Sequence, residues 1–169
     1  MYGIDIFDSI KLELDWYIIY YGIKHNLLGI ESAREYVFKK IEEKEALSDE
    51  ELELAWKVND SLEVLEKIEK IPNIQLNSEK QMEIAKNKIR IAIIANLREC
   101  EKNISKLFEE VNLIYEVFDY PFDMESFISY MPTNDDYIPN EHTQEENERR
   151  LLSKLDLFIH EQISLYIQK

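Results

Sequence analysis

Apolar residues recur at helical spacing along most of the chain, and residues suited to starting a helix stand where those runs begin. Ser48-Asp49-Glu50-Glu51, Ser78-Glu79-Lys80-Gln81 and Thr143-Gln144-Glu145-Glu146 each match the S/T-x-x-E/Q capping box. In that box the hydroxyl accepts from an orphan backbone N–H while the Glu or Gln reaches back to the cap. Asp60-Ser61-Leu62-Glu63 is an Asp-led variant, and Asp15 is placed to cap a helix over residues 16–26, ahead of Leu27-Leu28-Gly29. A second helix is predicted over residues 31–46. Pro72, with Asn73 and Asn77 after it, ends a helix over residues 62–71.

Leu62, Leu65, Ile68 and Ile71 make one apolar stripe. Leu151, Leu155, Phe158, Ile159, Gln162 and Tyr166 make a second, widened by Leu152 and Ile163. Residues 79–101 differ. There Ile89, Ile91, Ala92, Ile93, Ile94, Ala95 and Leu97 point in nearly every direction, so the middle of that helix is expected to be covered all round. Val111, Ile114, Tyr115 and Phe118 continue the pattern in a following helix, and Pro121 opens a short one reaching about residue 129. Residues 131–142, with Pro132, Asn134, Asp135, Asp136, Pro139 and Asn140, read as the longest ordered loop. Ile4, Ile6, Leu12 and Leu14 mark residues 2–14 as a segment pressed against the bundle in helical or extended form. The expected fold is all-α: a single domain over residues 1–169, a bundle of about seven or eight helices around a central apolar helix near residues 79–101. Trp16 and Trp56 are expected as core anchors.

Composition agrees with that class. Three Gly and four Pro leave little material for the turns of an all-β fold or for a Gly-rich phosphate loop. Cys100 is alone, so no internal disulfide can form, and a reducing compartment suits the chain. It opens Met1-Tyr2-Gly3-Ile4-Asp5, with acid where a signal peptide carries positive charge, and Met1 gives the expectation of a whole polypeptide. The densest apolar runs, residues 16–21 and 91–95, fall far short of the roughly 20 residues a membrane helix needs. A cytoplasmic protein without membrane association is expected.

Charge changes the picture more. The 35 acids against 20 Lys and Arg give −15, which repels polyphosphate, argues against direct nucleic-acid binding, and favours a basic protein partner. Residues 109–148 hold 12 of the acids and no Lys or Arg. The same block carries Tyr115, Phe118, Tyr120, Phe122, Phe127, Tyr130 and Tyr137. A disordered acidic tail lacks such rings, whereas acid and Tyr on an ordered surface suit protein recognition. Phe118 and Phe127 are expected in the core. Tyr120, Tyr130 and Tyr137 are candidate anchors, and Asp119, Asp123, Glu125, Asp135, Asp136 and Glu141 candidate contacts, of the partner-binding surface.

Catalytic chemistry finds no footing. His25, His142 and His160 lie far apart and form no metal pattern. Glu141, Glu145 and Glu146 beside Thr143 are acids that any helix N-terminus attracts. Pairs such as Glu50/Glu53 and Glu109/Glu110 are too common here to be specific, and Cys100 between Glu99 and Glu101 has neighbours that disfavour a thiolate. No enzyme activity, metal or cofactor is expected.

Ile114-Tyr115-Glu116-Val117-Phe118-Asp119-Tyr120-Pro121, followed by Phe127 and Tyr130-Met131-Pro132, resembles a small bacterial family of unknown function with an Ile-Tyr-x-x-Phe-x-Tyr-Pro stretch and a Tyr-Met-Pro motif. An aromatic-Tyr-Gly element in residues 16–22 and Glu53-Leu54-Ala55 fall in similar order. The chain departs from the pattern at Thr133, where a second Pro is expected, and at Ile89, where Trp is. The resemblance implies a bacterial, intracellular protein without established activity, and some members look like immunity proteins of polymorphic toxin systems. It supplies no catalytic residue. Tyr120-Pro121 is also a helix-ending corner, with Phe118 and Phe127 to pin it. The function expected is that of an acidic helical binding protein, an immunity-type inhibitor occluding a basic toxin, a nuclease among the candidates. The alternative is a helical adaptor or oligomerisation module using Leu151, Leu155 and Ile159, and the oligomeric state stays open.

Overall fold

The computed structural model describes residues 1–133 and 135–167. Of the loop residues named above, Asn134 lies outside the described residues. Among the described residues the fold is all-helical, with seven α-helices, three short 3-10 segments and one isolated bridge. The chain gathers into two compact units, residues 1–92 and 93–169, with the boundary inside the helix Glu79–Cys100.

The first unit opens with the 3-10 segment Ile4–Phe7, which buries Ile6 and Phe7. Ahead of it Tyr2 makes a parallel bridge to Leu28: its N–H donates to the Leu27 carbonyl and its carbonyl accepts from Gly29 N–H, both at 2.9 Å. Residues 2–14 are thus extended at the start, 3-10 helical over residues 4–7, and turn and irregular chain after that. Four helices follow, α1 (Trp16–Lys24), α2 (Glu31–Glu42), α3 (Asp49–Glu53) and α4 (Ser61–Glu69), and then α5 (Glu79–Cys100). Asp15 accepts from Ile18 N–H at 2.9 Å, Asp60 from Leu62 N–H at 3.3 Å, and Ser48 completes both bonds of its box with Glu51. Gly22 sits where Leu28 packs down on α1; a Cβ there would lie 2.5 Å from the Leu28 side chain, which is why that turn of helix carries glycine.

Helix ends are made without glycine at positive φ. After α1, Asn26 takes φ 56° and Leu27 N–H donates to the Gly22 carbonyl at 2.8 Å. After α2, Lys44 takes φ 60° and Glu45 N–H reaches the Lys40 carbonyl at 3.0 Å. Both are Schellman endings, in which a left-handed residue turns the chain back on the last carbonyls. The second stops α2 at Glu42, short of the predicted residue 46.

The strongest polar knot of this unit is Glu51. Its carboxylate accepts from Trp16 Nε1 (2.7 Å), Lys40 Nζ (2.7 Å) and Ser48 N–H (2.8 Å). Burial pushes this carboxyl up, and the bonds from Lys40, Ser48 and Trp16 outweigh it to hold the group below the usual Glu value. Trp16 is the core anchor that was expected, whereas Trp56 is not: it is 76% exposed. Helix α3 is only five residues long, Leu54 fills the core position behind it, and the turn that follows directs Trp56 outward. Leu62 is likewise exposed, because α4 turns Val64 and Ile68 inward.

Residues 89–95 of α5 are all buried, as nearly all-round apolarity requires. The second unit continues with α6 (Ile104–Val117), the 3-10 segments Phe122–Phe127 and Pro139–Glu141, and α7 (Gln144–Ile167). The Thr143 box forms at the start of α7: Glu146 N–H donates to Thr143 Oγ1 at 3.3 Å and Thr143 N–H to Glu146 Oε2 at 2.8 Å. α7 packs on the Phe122–Phe127 segment through Phe158, whose ring centroid lies 4.9 Å from that of Phe127. Two residues of its stripe, Leu155 and Phe158, are buried, and the other six are half-buried. Among the described residues no helix is long and apolar enough to cross a membrane.

Candidate functional site

The corner after α6 is built by its own sequence. Phe118 caps the helix, Asp119 N–H donates to the Glu116 carbonyl (3.0 Å) and Tyr120 N–H to the Tyr115 carbonyl (2.9 Å), a third Schellman ending. Asp119 and Tyr120 are both left-handed, at φ 63° and 54°. The Tyr120 ring meets the Tyr115 ring edge-on at 5.3 Å, the side-chain contact that such an ending favours. Pro121, at φ −65°, then starts the Phe122–Phe127 turn. Phe118 and Phe127 are buried beneath the corner, as expected.

Above them the rings are open. Tyr120 is 58%, Tyr130 55% and Phe122 84% exposed. Tyr115 lies at the centre, buried, with Tyr130 6.5 Å from it. Carboxylates stand close enough to act on the rings. Burial raises the Tyr115 hydroxyl, and Glu125 with the neighbouring tyrosines adds to it; burial raises Tyr130, and Glu116 and Tyr120 add to that. Asp119 and Asp123 are exposed on the same turn, and Glu125 is half-buried. Of the nine candidate residues, Asp119, Tyr120, Asp123, Glu125 and Tyr130 thus belong to this corner segment.

The other four lie in the loop before α7, and they divide. Asp135 accepts from Arg150 at 2.6 Å and from Lys154 at 3.1 Å, bonds that bring its carboxyl down to about 2. Tyr137 stacks on His142 at 4.3 Å, carries the Arg150 guanidinium 4.3 Å from its ring centre, and donates its hydroxyl to Asn147 Oδ1 at 2.8 Å. Both residues hold the loop to α7. Asp136 and Glu141 remain exposed. Residues of both groups line one cavity of about 190 Å³, Glu125 from the corner and Tyr137 from the loop, together with Met131, Pro132 and Arg150. The run without a cation is thus partly neutralised at Asp135 by bases that the chain supplies 15 and 19 positions later.

Sequence reasoning did not single out Phe122 as an anchor, nor Leu113 and Val117, which are also exposed. The signal was present: Leu113 and Val117 form an i, i+4 pair off the stripe of Val111, Ile114, Tyr115 and Phe118. Among the described residues no group of three or more His, Cys, Asp and Glu side chains is placed to hold a metal ion.

Residues 4–163 match the family model described as "Uncharacterized protein conserved in bacteria (DUF2247)", and the chain belongs to that family. No curated protein and no solved structure is significantly similar to it.

Proposed function

From that membership as a premise, we propose that this bacterial family member is a cytoplasmic immunity-type binding protein. It neutralises a basic toxin, a nuclease being the best-suited class, by covering the toxin's substrate surface, and it performs no catalysis itself. The observation that carries this reading is the corner at residues 115–130, where Tyr120, Phe122 and Tyr130 stand exposed among Glu116, Asp119 and Glu125 in a stretch of chain without Lys or Arg. Rings of this kind bury large area at small entropy cost, and carboxylates around them steer a cationic partner into register. A nuclease presents a cationic face to its substrate, so a protein that covers it needs this sign of charge.

Co-expression with the product of the adjacent gene tests the reading. Rescue of growth and a stable complex are expected, with association slowing steeply as salt rises. Tyr120→Ala combined with Tyr130→Ala should weaken the complex by about 2 kcal/mol or more. Neither rescue nor binding with any neighbouring gene product rejects it.

A further inference from the structure

The first unit carries a second surface that the corner does not explain. Helix α2 and the stretch 51–55 are tied at two points that fall in opposite order along the two segments: Arg34 Nε donates to the Ala55 carbonyl at 3.2 Å, and Lys40 Nζ donates to Glu51 at 2.7 Å. Along α2 Phe38 falls between Arg34 and Lys40, and along the tied stretch Leu52 falls between Glu51 and Ala55, with Ile41 just past Lys40 and Trp56 just past Ala55. All four side chains are exposed, Phe38 by 41%, Ile41 by 45%, Leu52 by 43% and Trp56 by 76%. Scattered single apolar residues at a surface are ordinary; four on two short segments tied to each other make up one strip.

The rim of the strip is acidic. Glu31, Glu35 and Glu42 on α2 and Glu53 on α3 are exposed, and among the described residues none of them is ion-paired. The Arg34 guanidinium is held by the Ala55 carbonyl and lies 5.2 Å from the Phe38 ring centre; Lys57, next to Trp56, is the opposing charge at one end. A second copy of a chain with formal charge −15 would bring like charges together here, so self-association is disfavoured. We propose that this strip is a docking surface for a basic amphipathic helix, whose apolar side covers Phe38, Ile41, Leu52 and Trp56 while Lys or Arg on its flanks meet the glutamates. This surface is independent of the corner on α6.

The protein itself reports occupancy, since Trp16 is buried against Glu51 and Trp56 is the exposed tryptophan. The probe is a synthetic leucine–lysine amphipathic peptide of about 18 residues, long enough for several helical turns. Its leucine–glutamate counterpart is the control. With the basic peptide, tryptophan emission should shift to shorter wavelength and acrylamide quenching should fall by at least half. The response should weaken about tenfold in Phe38→Ser, diminish at about 0.5 M salt, and persist in the Tyr120→Ala, Tyr130→Ala variant. No response to the basic peptide, or an equal response to the acidic one, overturns the proposal. So does loss of the response in the tyrosine variant, which would place the peptide on the corner, and so does a shift that grows with protein concentration alone, which would make a second copy the occupant. A protein that fails to rescue from any toxin can still pass this test.

Discussion

Glu51 in the first unit and Asp135 in the second are both carboxylates tied down by cations from other elements, yet they do different work. The Glu51 side chain is 9% exposed and that of Asp135 44%. Glu51 has Trp16, Lys40 and Ser48 as donors and locks α1, α2 and α3 together. Asp135 is hydrated and screened, and its bonds to Arg150 and Lys154 orient a loop more than they stabilise a unit. The difference teaches that partner count says little until burial is known. Losing one member of a buried pair leaves an uncompensated charge, whereas water substitutes for the lost partner of an exposed one.

Removing Glu51 tests the larger side of that contrast. Glu51→Ala leaves the Lys40 ammonium, whose side chain is 12% exposed, with only its longer pair to Glu45 (3.4 Å) and leaves the Trp16 N–H without its acceptor, and should destabilise by about 3 kcal/mol in urea unfolding followed by tryptophan fluorescence. A loss under about 1 kcal/mol would mean the knot is solvated after all. Gly22→Ala comes next: the added methyl meets Leu28, at an expected cost of about 1–3 kcal/mol in the same assay.

Acid should separate the two carboxylates further. Both have folded values below their unfolded ones, so each contributes stability that is complete above the unfolded value and lost as pH falls through the folded value. For Glu51 the loss begins below its unfolded value of about 4.3, and Glu51→Gln should flatten the acid limb of a stability–pH curve. Asp135, brought to about 2, keeps its pairs well below the ordinary carboxylate range. Asp135→Asn should remove only a small part of the acid limb, between the ordinary Asp value of about 3.9 and about 2, because solvent screens its pairs, and should loosen the loop, seen as faster amide exchange at Tyr137, whose N–H bonds Asp135 at 3.3 Å. An equal effect of the two substitutions would break the comparison. The smallest effect is a gain: Lys44→Gly removes a left-handed lysine at the end of α2 and should stabilise by about 0.5–1 kcal/mol.

Much of this was legible along the chain. The helix starts at Asp15, Ser48, Asp60 and Thr143 are bonds between residues two or three apart, so local order suffices to read them. The corner was legible as a helix end for the same reason. Trp56 reads as a core residue because its side chain is large and apolar, and only the length of α3 and the presence of Leu54 turn it out. Asp135 reads as one of the open acids because its partners, Arg150 and Lys154, belong to the next helix.

By itself, then, the sequence determined which segments become helices, the all-helical class, and the sign and placement of the charge. Those follow from capping bonds, apolar period and composition, all of which act between near neighbours. Tertiary structure alone decided which of those charges are neutralised and which rings face water. Such outcomes depend on approach between residues far apart in the chain, where burial sets the strength of every bond.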